Sequence, residues 1–403
     1  MEAPETGFKL AASLALVTIL GPAGIDMYLA SMPHMAQELD TSYARVQLTL
    51  TVFLLAMGAG QLLFGPIVDA YGRRRPLVLA LFVYIAASVG AGFAPSIDAL
   101  LGARFVQGMA AALTLVVAMS TVRDVCSGTR AAQLFALLMT IEGLAPVLAP
   151  AVGGYVDAAH GWRAVMLVLA ALGVLALGNT LVNLPETLPQ AQRSSLQPGQ
   201  VSQTYLRIVR DSAFLLPTLA LSAAFFFLFA YIGGASLVYQ QHYGLASDTF
   251  GLVFGATGVA VLLGALGSTR LVARMGVARV ATTGVGCMTA GAAIGAAAAG
   301  FDAPLAVVAA GMFVAMLGLG IAEATLMSLA MSSQQVALGS TAALLGAFQL
   351  MISSAATPVA GAFAESGPVA WLSLLVILGV VALALAMASA ARVPAELREL
   401  AGH

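Results

Sequence analysis

Apolar residues fill this chain in long unbroken blocks, separated by short clusters of glycine, proline and charge. The blocks show neither the alternation of a half-buried strand nor the single apolar stripe of a soluble helix. They are apolar all round, and about 20 such residues cross a bilayer core as an α-helix. The pattern predicts spans over about 9–33, 45–68, 76–94, 99–122, 131–156, 162–184, 212–240, 248–270, 279–300, 304–330, 339–364 and 368–391. A membrane β-barrel would need short alternating strands instead. The first block is too long for a signal-peptide core and carries Asp26, so it reads as an uncleaved span. One long polar stretch, Pro185 to Asp211, divides six spans from six. The expected organisation is an N-terminal six-helix lobe over 1–184, a cytoplasmic linker over 185–211 and a C-terminal six-helix lobe over 212–403. The end of the linker, Thr204 to Arg210, alternates apolar and basic and suits a short interfacial helix.

Composition excludes the other classes. Of 403 residues, 60% are apolar and 9% charged, with mean hydropathy +0.97. A soluble domain carries about 25% charged residues. Disorder fails for the opposite reason, an excess of apolar side chain. A net charge of −1 leaves no basic surface for nucleic acid. Cys126 and Cys287 provide no disulfide framework, and the four histidines have no metal-ligand spacing. There is no Gly-x-x-x-x-Gly-Lys phosphate loop, so neither an enzyme nor an ATP-driven pump is expected, and no metal or organic cofactor.

Charge orients the chain. With the N-terminus in the cytoplasm, 14 of the 17 basic residues fall in cytoplasmic segments, among them Lys9, Arg73, Arg74, Arg75, Arg123, Arg193, Arg207, Arg210, Arg274 and Arg279. Arg45 and Arg163 then lie outside, and Arg104 lies within a span. An even span count puts both termini in the cytoplasm. The loop from Gly65 to Arg75 is echoed by Thr269 to Val280, at an offset near 204 residues. Parallel repeats of this kind point to a transporter with its binding site between two halves.

Four charges remain inside apolar blocks: Asp26, Arg104, Glu142 and Glu323. Each costs at least about 2.5–3.5 kcal/mol on insertion scales, so each calls for a partner or a function. Asp26 and Arg104 sit at similar depth, roughly 10 Å below the outer surface at 1.5 Å per residue. They read either as a static salt bridge or as a proton switch, in which separation lets Asp26 take up a proton. Glu142 reads as a second protonation site or a contact for cationic substrates, or else as a group facing water or a polar partner. Glu323, nearer the cytoplasmic end, suits a snorkelling or gate role better than substrate binding. The run Phe225 to Phe229, with Tyr231 and Tyr239, supplies aromatic surface. Part of it must face lipid, and part suits an amphiphile pocket with Met57, Met119, Met316 or Gln349.

Local motifs narrow the picture. Gly65-Pro66-Ile67-Val68-Asp69-Ala70-Tyr71-Gly72-Arg73-Arg74-Arg75 resembles the signature loop of the major facilitator superfamily. Positive-inside charge explains the arginines, but not an Asp before Gly-Arg-Arg. The resemblance implies a gate formed by Gly65, Asp69, Gly72 and Arg73, with Asp69 close to the start of the eleventh helix at Gly339-Ser340-Thr341. Arg104-Phe105-Val106-Gln107-Gly108 resembles the fourth-helix motif of that superfamily's drug–proton antiporters. Ala145 to Gly154, with Pro146, Pro150, Gly153 and Gly154, resembles their fifth-helix antiporter motif, with Ala149 where Gly is common. Gly24 to Pro33, Val122-Arg123-Asp124, Gly161-Trp162-Arg163 and Leu184-Pro185-Glu186-Thr187 look like the Bcr/CflA family of bicyclomycin and chloramphenicol–florfenicol exporters.

The resemblance implies an all-α polytopic membrane protein of twelve helices in two pseudo-symmetric lobes. It implies efflux of amphiphilic drugs across the bacterial inner membrane in exchange for protons, by a monomer in the lipid bilayer. Asp26, Arg104 and Glu142 would couple the proton. Asp26, Tyr28, Met57, Met119, Glu142, Phe229, Tyr231, Tyr239 and Gln349 would line the substrate cavity. The rival reading is a transporter of a small metabolite such as a sugar or amino acid, whose cavity would need more hydrogen-bonding side chains.

Overall fold

The structure, a computed structural model, describes residues 4–126, 128–193, 198–333 and 338–392. Arg398, His403 and the middle of the linker, 194–197, lie outside the described residues. Among the described residues, twelve helices are long and apolar enough to cross a membrane: Lys9–Glu38, Tyr43–Tyr71, Arg74–Gly92, Ile97–Val125, Leu137–His160, Trp162–Asn183, Ser212–His242, Ser247–Met275, Val277–Gly300, Leu305–Ser332, Gly339–Glu365 and Pro368–Ala391. They are called spans one to twelve below, and each coincides with a predicted block. The linker carries one further helix, Pro198–Arg210, with Arg207 and Arg210 exposed and Ile208 buried.

The ends of the spans follow from local chemistry. Ser42 and Ser96 cap spans two and four, each hydroxyl accepting from a backbone N–H three residues on. Of the five glycines at positive φ among the described residues, four sit at tight turns that repeat between the lobes. Gly72 (φ 89°) joins spans two and three, and Gly276 (φ 78°), 204 residues later, joins spans eight and nine. Gly161 (φ 77°) and Gly367 (φ 105°) hold the matching places between spans five and six and between eleven and twelve. The repeat seen in the loop sequences is therefore a repeat of backbone geometry, at positions where a Cβ is unfavourable.

Packing repeats in the same way. In the first lobe span two pairs with four, three with four, and three with six; in the second, eight pairs with ten, nine with ten, and nine with twelve. The two most extensive pairs between the lobes are five with eight and two with eleven, and span one adds smaller contacts to spans seven and eight. Exchanging the lobes turns one of these pairs into the other, which is the signature of a pseudo-twofold axis between them. Small residues permit the approach. Gly284, Gly291, Gly311 and Gly318 meet backbone between spans nine and ten.

Candidate functional site

Span one is the irregular element. Its helix runs Leu20–Asp26, gives way to a 3₁₀ turn over Leu29–Ser31 and resumes at Met32–Glu38. Pro33 has no N–H to give the Leu29 carbonyl, which accepts a 3₁₀ bond from Met32 instead. Its remaining lone pair accepts from the Ser236 hydroxyl of span seven at 2.7 Å.

Arg104 anchors the other side of this break. It is fully buried, donating from Nη2 to the Gly24 carbonyl at 2.7 Å and from Nη1 to Gln107 Oε1 at 2.6 Å. Its guanidinium carbon lies 4.4 Å from the ring centroid of Tyr28 and 4.2 Å from that of Phe53. Gln107 donates on to Ser88, and Tyr84 donates to the Leu20 carbonyl at 2.9 Å. Spans three and four thus hold span one by its backbone at two successive turns. Asp26 is buried, yet no ion pair among the described residues involves it. Of the two readings of this pair, the static Asp26–Arg104 salt bridge is not formed among the described residues. The helix ending at Asp26 frees the Gly24 carbonyl, and this carbonyl, Gln107 and two aromatic faces engage the guanidinium instead, with Nε left unpaired.

Hydrogen bonds between lobes close the end of the bundle that carries Tyr43. Tyr43 Oη and Gln47 Nε2 both donate to the Gly233 carbonyl, at 3.0 and 2.5 Å. Gln240 Nε2 donates to the Ala30 carbonyl at 2.9 Å, and Thr51 meets Thr357 at 2.9 Å. Beyond this seal an open groove of about 750 Å³ is lined by Gln37, Asp40, Tyr43, Gln241 and Glu365 among others.

The fifth-helix motif is a backbone-to-backbone contact. A Cβ on Gly153 would lie 1.6 Å from the Met27 carbonyl oxygen, and one on Gly154 would lie 2.3 Å from that of Ser247. Span eight answers with its own glycines. Gly251, Gly255 and Gly258 face the carbonyls of Pro150, Val147 and Pro146. Pro150 cannot donate to the Pro146 carbonyl, so that oxygen is free to face Gly258. Span five therefore bears at once on the break in span one and on the opposite lobe.

At the opposite end the Gly72 loop organises a polar cluster. Arg73 donates to Asp69 at 2.6 Å and, through Nε and Nη2, to both oxygens of Asp124 at 2.7 and 3.2 Å. Glu186, beyond span six, accepts from the backbone N–H of Arg73 at 2.8 Å and of Arg74 at 3.3 Å, capping the start of span three. Partial burial pushes the Glu186 carboxyl up, but these N–H groups, that of Leu188 and the charge of Arg193 outweigh it and hold the group below its ordinary value. Arg123 lies within electrostatic reach of Asp69 and extends its guanidinium to Gly339 at the start of span eleven. Gly65 stands in open space.

The residues named for a cavity have different immediate neighbours. Tyr28 is covered by Arg104, and Met57 packs against Gly21. Tyr231 and Tyr239 are fully buried in an aromatic cluster. Tyr231 stacks between Phe254 at 5.3 Å and Trp371 at 5.8 Å, while Tyr239 meets Phe250 and Trp371 edge-on. Gly234 makes room for the Trp371 indole, which donates to the Ala230 carbonyl. Phe229 and Gln349 are buried, and Met119 and Glu142 are half-buried. Phe53, Ser88, Tyr84 and Asp157 escaped the sequence reading. Asp157, wholly buried, accepts from His34 at 2.8 Å if that ring nitrogen is protonated. Gln107 was visible in the fourth-helix motif, three residues after Arg104 and so on the same face.

Comparison with known proteins places this architecture. The model of the Major Facilitator Superfamily matches residues 14–353. An uncharacterized transporter of that superfamily from Bacillus subtilis is 34% identical over 87% of this chain and 88% of its own. The bicyclomycin resistance protein homolog of Haemophilus influenzae is 30% identical over 68% of this chain and 69% of its own. The chloramphenicol resistance protein of Pseudomonas aeruginosa is 34% identical over 71% and 68%. The crystal structure of the human organic anion transporter MFSD10 superposes with a TM-score of 0.68 at 15% identity, over 96% of this chain and all of that one, a likeness of fold. A twelve-span bundle with repeated turns, repeated helix pairs and relatives of this length and identity is a multi-pass membrane transporter, and the chain belongs to the Major Facilitator Superfamily.

Proposed function

We propose that this protein exports amphiphilic drugs of the chloramphenicol, florfenicol or bicyclomycin kind across the bacterial inner membrane, in exchange for protons and by alternating access. Both termini and the Gly72 loop face the cytoplasm, and the Tyr43 end faces outward. The observation that carries the reading is that two carboxylates inside the spans, Asp26 and Glu142, have no basic partner among the described ion pairs and sit on the elements that join the lobes. A proton is the smallest compensation for such a charge, and one charge crossing 100 mV supplies about 2.3 kcal/mol. The names of the resistance-protein relatives support the substrate class.

The cycle follows from the contacts. The outer seal consists of a few hydrogen bonds to carbonyls of spans one and seven, so it can break without unfolding a helix. Spans five and eight, touching through glycines, supply the surface on which the lobes rock. Asp26 lies next to Met27, whose carbonyl meets Gly153, so movement of span five changes its surroundings. Drug entering from the cytoplasmic side displaces the proton, and reprotonation from outside expels the drug. In a host stripped of its own pumps, expression is expected to raise tolerance to these drugs several-fold, with Asp26→Asn and Glu142→Gln abolishing the gain. Wild-type expression that changes tolerance to none of them would overturn the reading.

A further inference from the structure

Pro66 lies inside span two, in the half that ends at the Gly72 loop. It has no N–H, so the Leu62 carbonyl, four residues back, loses the donor its own helix would supply. Another part of the chain provides one. Tyr205 of the linker helix donates its hydroxyl to the Leu62 carbonyl at 3.3 Å. Partial burial, and after it the charge of Asp69, push that hydroxyl above its ordinary pKa, so it stays a donor. The linker helix turns one stripe to the bundle: Val201, Tyr205, Ile208 and Val209 are partly or wholly buried, whereas Arg207 and Arg210 are exposed. It packs on spans seven and eleven, both of the second lobe. Only Asp211 separates it from Ser212, where span seven begins, and the Asp211 carboxylate caps that start by accepting from the Ala213 N–H at 2.9 Å. The linker helix therefore moves with span seven.

Span seven also carries the outer seal, since its Gly233 carbonyl accepts from Tyr43 and Gln47 of span two. Span two is thus fastened to the second lobe twice, by its outer end to Gly233 and nearer its other end to Tyr205. Between these points it runs along span eleven, with Thr51 on Thr357, Gly58 against Met351 and Gln61 against Gly346. Tyr205 continues this seam at Leu62. We propose that Tyr205 is a positioning residue of the transport cycle, a latch that holds span two to the linker helix while the Gly72 end is shut and releases before that end opens. The proposal rests on the alternating-access part of the export reading. Rocking that separates the lobes at the Gly72 end carries the linker helix away with span seven, pulls the hydroxyl off the carbonyl and lets water replace it. A carbonyl that its own helix leaves open changes partners without breaking a helical bond, which suits a contact made and lost in every cycle.

The test uses the purified full chain in detergent, with Cys126 and Cys287 replaced and spin labels at Tyr71→Cys and Met275→Cys, exposed residues that precede Gly72 and Gly276 in the two lobes. Tyr205→Phe keeps the ring and removes the hydroxyl. It is expected to raise the ratio of long to short distances at this end about threefold to tenfold, the worth of one neutral hydrogen bond. Labels at Gln37→Cys and Gln241→Cys, which line the outer groove, are expected not to move apart. Pro66→Ala gives the Leu62 carbonyl an N–H from its own helix, so in that background the effect of Tyr205→Phe is expected to fall below about twofold. An unchanged ratio in Tyr205→Phe would overturn the proposal. So would a longer distance at the outer pair, or an equal effect in the two backgrounds. Should Tyr205→Phe fail to fold, Pro66→Ala with Tyr205 intact decides: competition for the carbonyl is expected to raise the same ratio, and an unchanged ratio refutes the latch. Drug export by a chain whose distances ignore Tyr205 sinks the latch and spares the export reading. A Tyr205-dependent ratio in a chain that exports no drug does the reverse.

Discussion

Arg104→Met removes a buried charge while keeping most of the apolar bulk, and its effect can be worked from the contacts. It loses two charge-assisted hydrogen bonds, to Gly24 at 2.7 Å and Gln107 at 2.6 Å, each about 1.5–3 kcal/mol. It loses two ring contacts, at 4.4 and 4.2 Å, each about 0.5–2 kcal/mol. Against this stands several kcal/mol of desolvation that the charge no longer incurs. The residue is the penalty for two acceptors left unpaired, so a net destabilisation of about 2–5 kcal/mol is expected. The sharper quantity is the coupling to Asp26. A buried ion pair broken from one side loses about 3–5 kcal/mol, which would appear as coupling in a double-mutant cycle. The geometry predicts a coupling below about 1 kcal/mol, since Arg104 holds the backbone of span one and not the Asp26 carboxylate. The assay is unfolding free energy in mixed detergent micelles for wild type, Asp26→Asn, Arg104→Met and the double variant. A coupling of about 3 kcal/mol or more would refute the cage and restore the salt bridge.

Three other outcomes follow from single contacts. Gly153→Val drives a side chain into the Met27 carbonyl, so the outer seal is expected to open; spin labels at Gln37→Cys and Gln241→Cys, with Cys126 and Cys287 replaced, should report a longer distance, and an unchanged one would contradict the contact. Gly72 has φ 89° and ψ −179°, and a Cβ there would lie 2.5 Å from Glu186 Oε2; Gly72→Ala is expected to destabilise by about 1–3 kcal/mol, with a lower melting temperature as readout. Glu186 has a depressed carboxyl pKa, so its stabilisation is present above the ordinary value of about 4.5 and is lost as pH falls through the lower folded value. The melting-temperature gap between wild type and Glu186→Gln should narrow as pH drops below about 4.5, and a gap that widens would reverse the sign.

The spans, the lobes and the repeat were legible because each rests on a strong local signal. A membrane helix must be apolar along its whole length, and a tight turn at positive φ favours glycine. Gly72 and Gly276 could be matched by spacing alone. The site was legible only in part. Asp26, Arg104, Glu142 and Glu323 announced themselves as charges in apolar blocks. Their partners did not, because depth along a span gives no rotation about its axis. Equal depth suggested that Asp26 meets Arg104, whereas the break in span one turned a backbone carbonyl toward the guanidinium. Tyr231 and Tyr239 carried no signal separating a pocket wall from the core of a lobe. Glu323 was read by its distance from a helix end and assigned a peripheral role. It lies within electrostatic reach of Glu142 because spans five and ten both pack on span eight, a relation between lobes that no local pattern encodes.

The central claim is that drug leaves in exchange for protons. Its most direct measurement is made on the purified protein in proteoliposomes holding an imposed pH gradient and a pH-sensitive dye. Adding chloramphenicol, florfenicol or bicyclomycin is expected to discharge the gradient with the wild type and to leave it intact with Asp26→Asn. A gradient that every one of these drugs leaves untouched in the wild type, while labelled drug still crosses the membrane, would contradict the account.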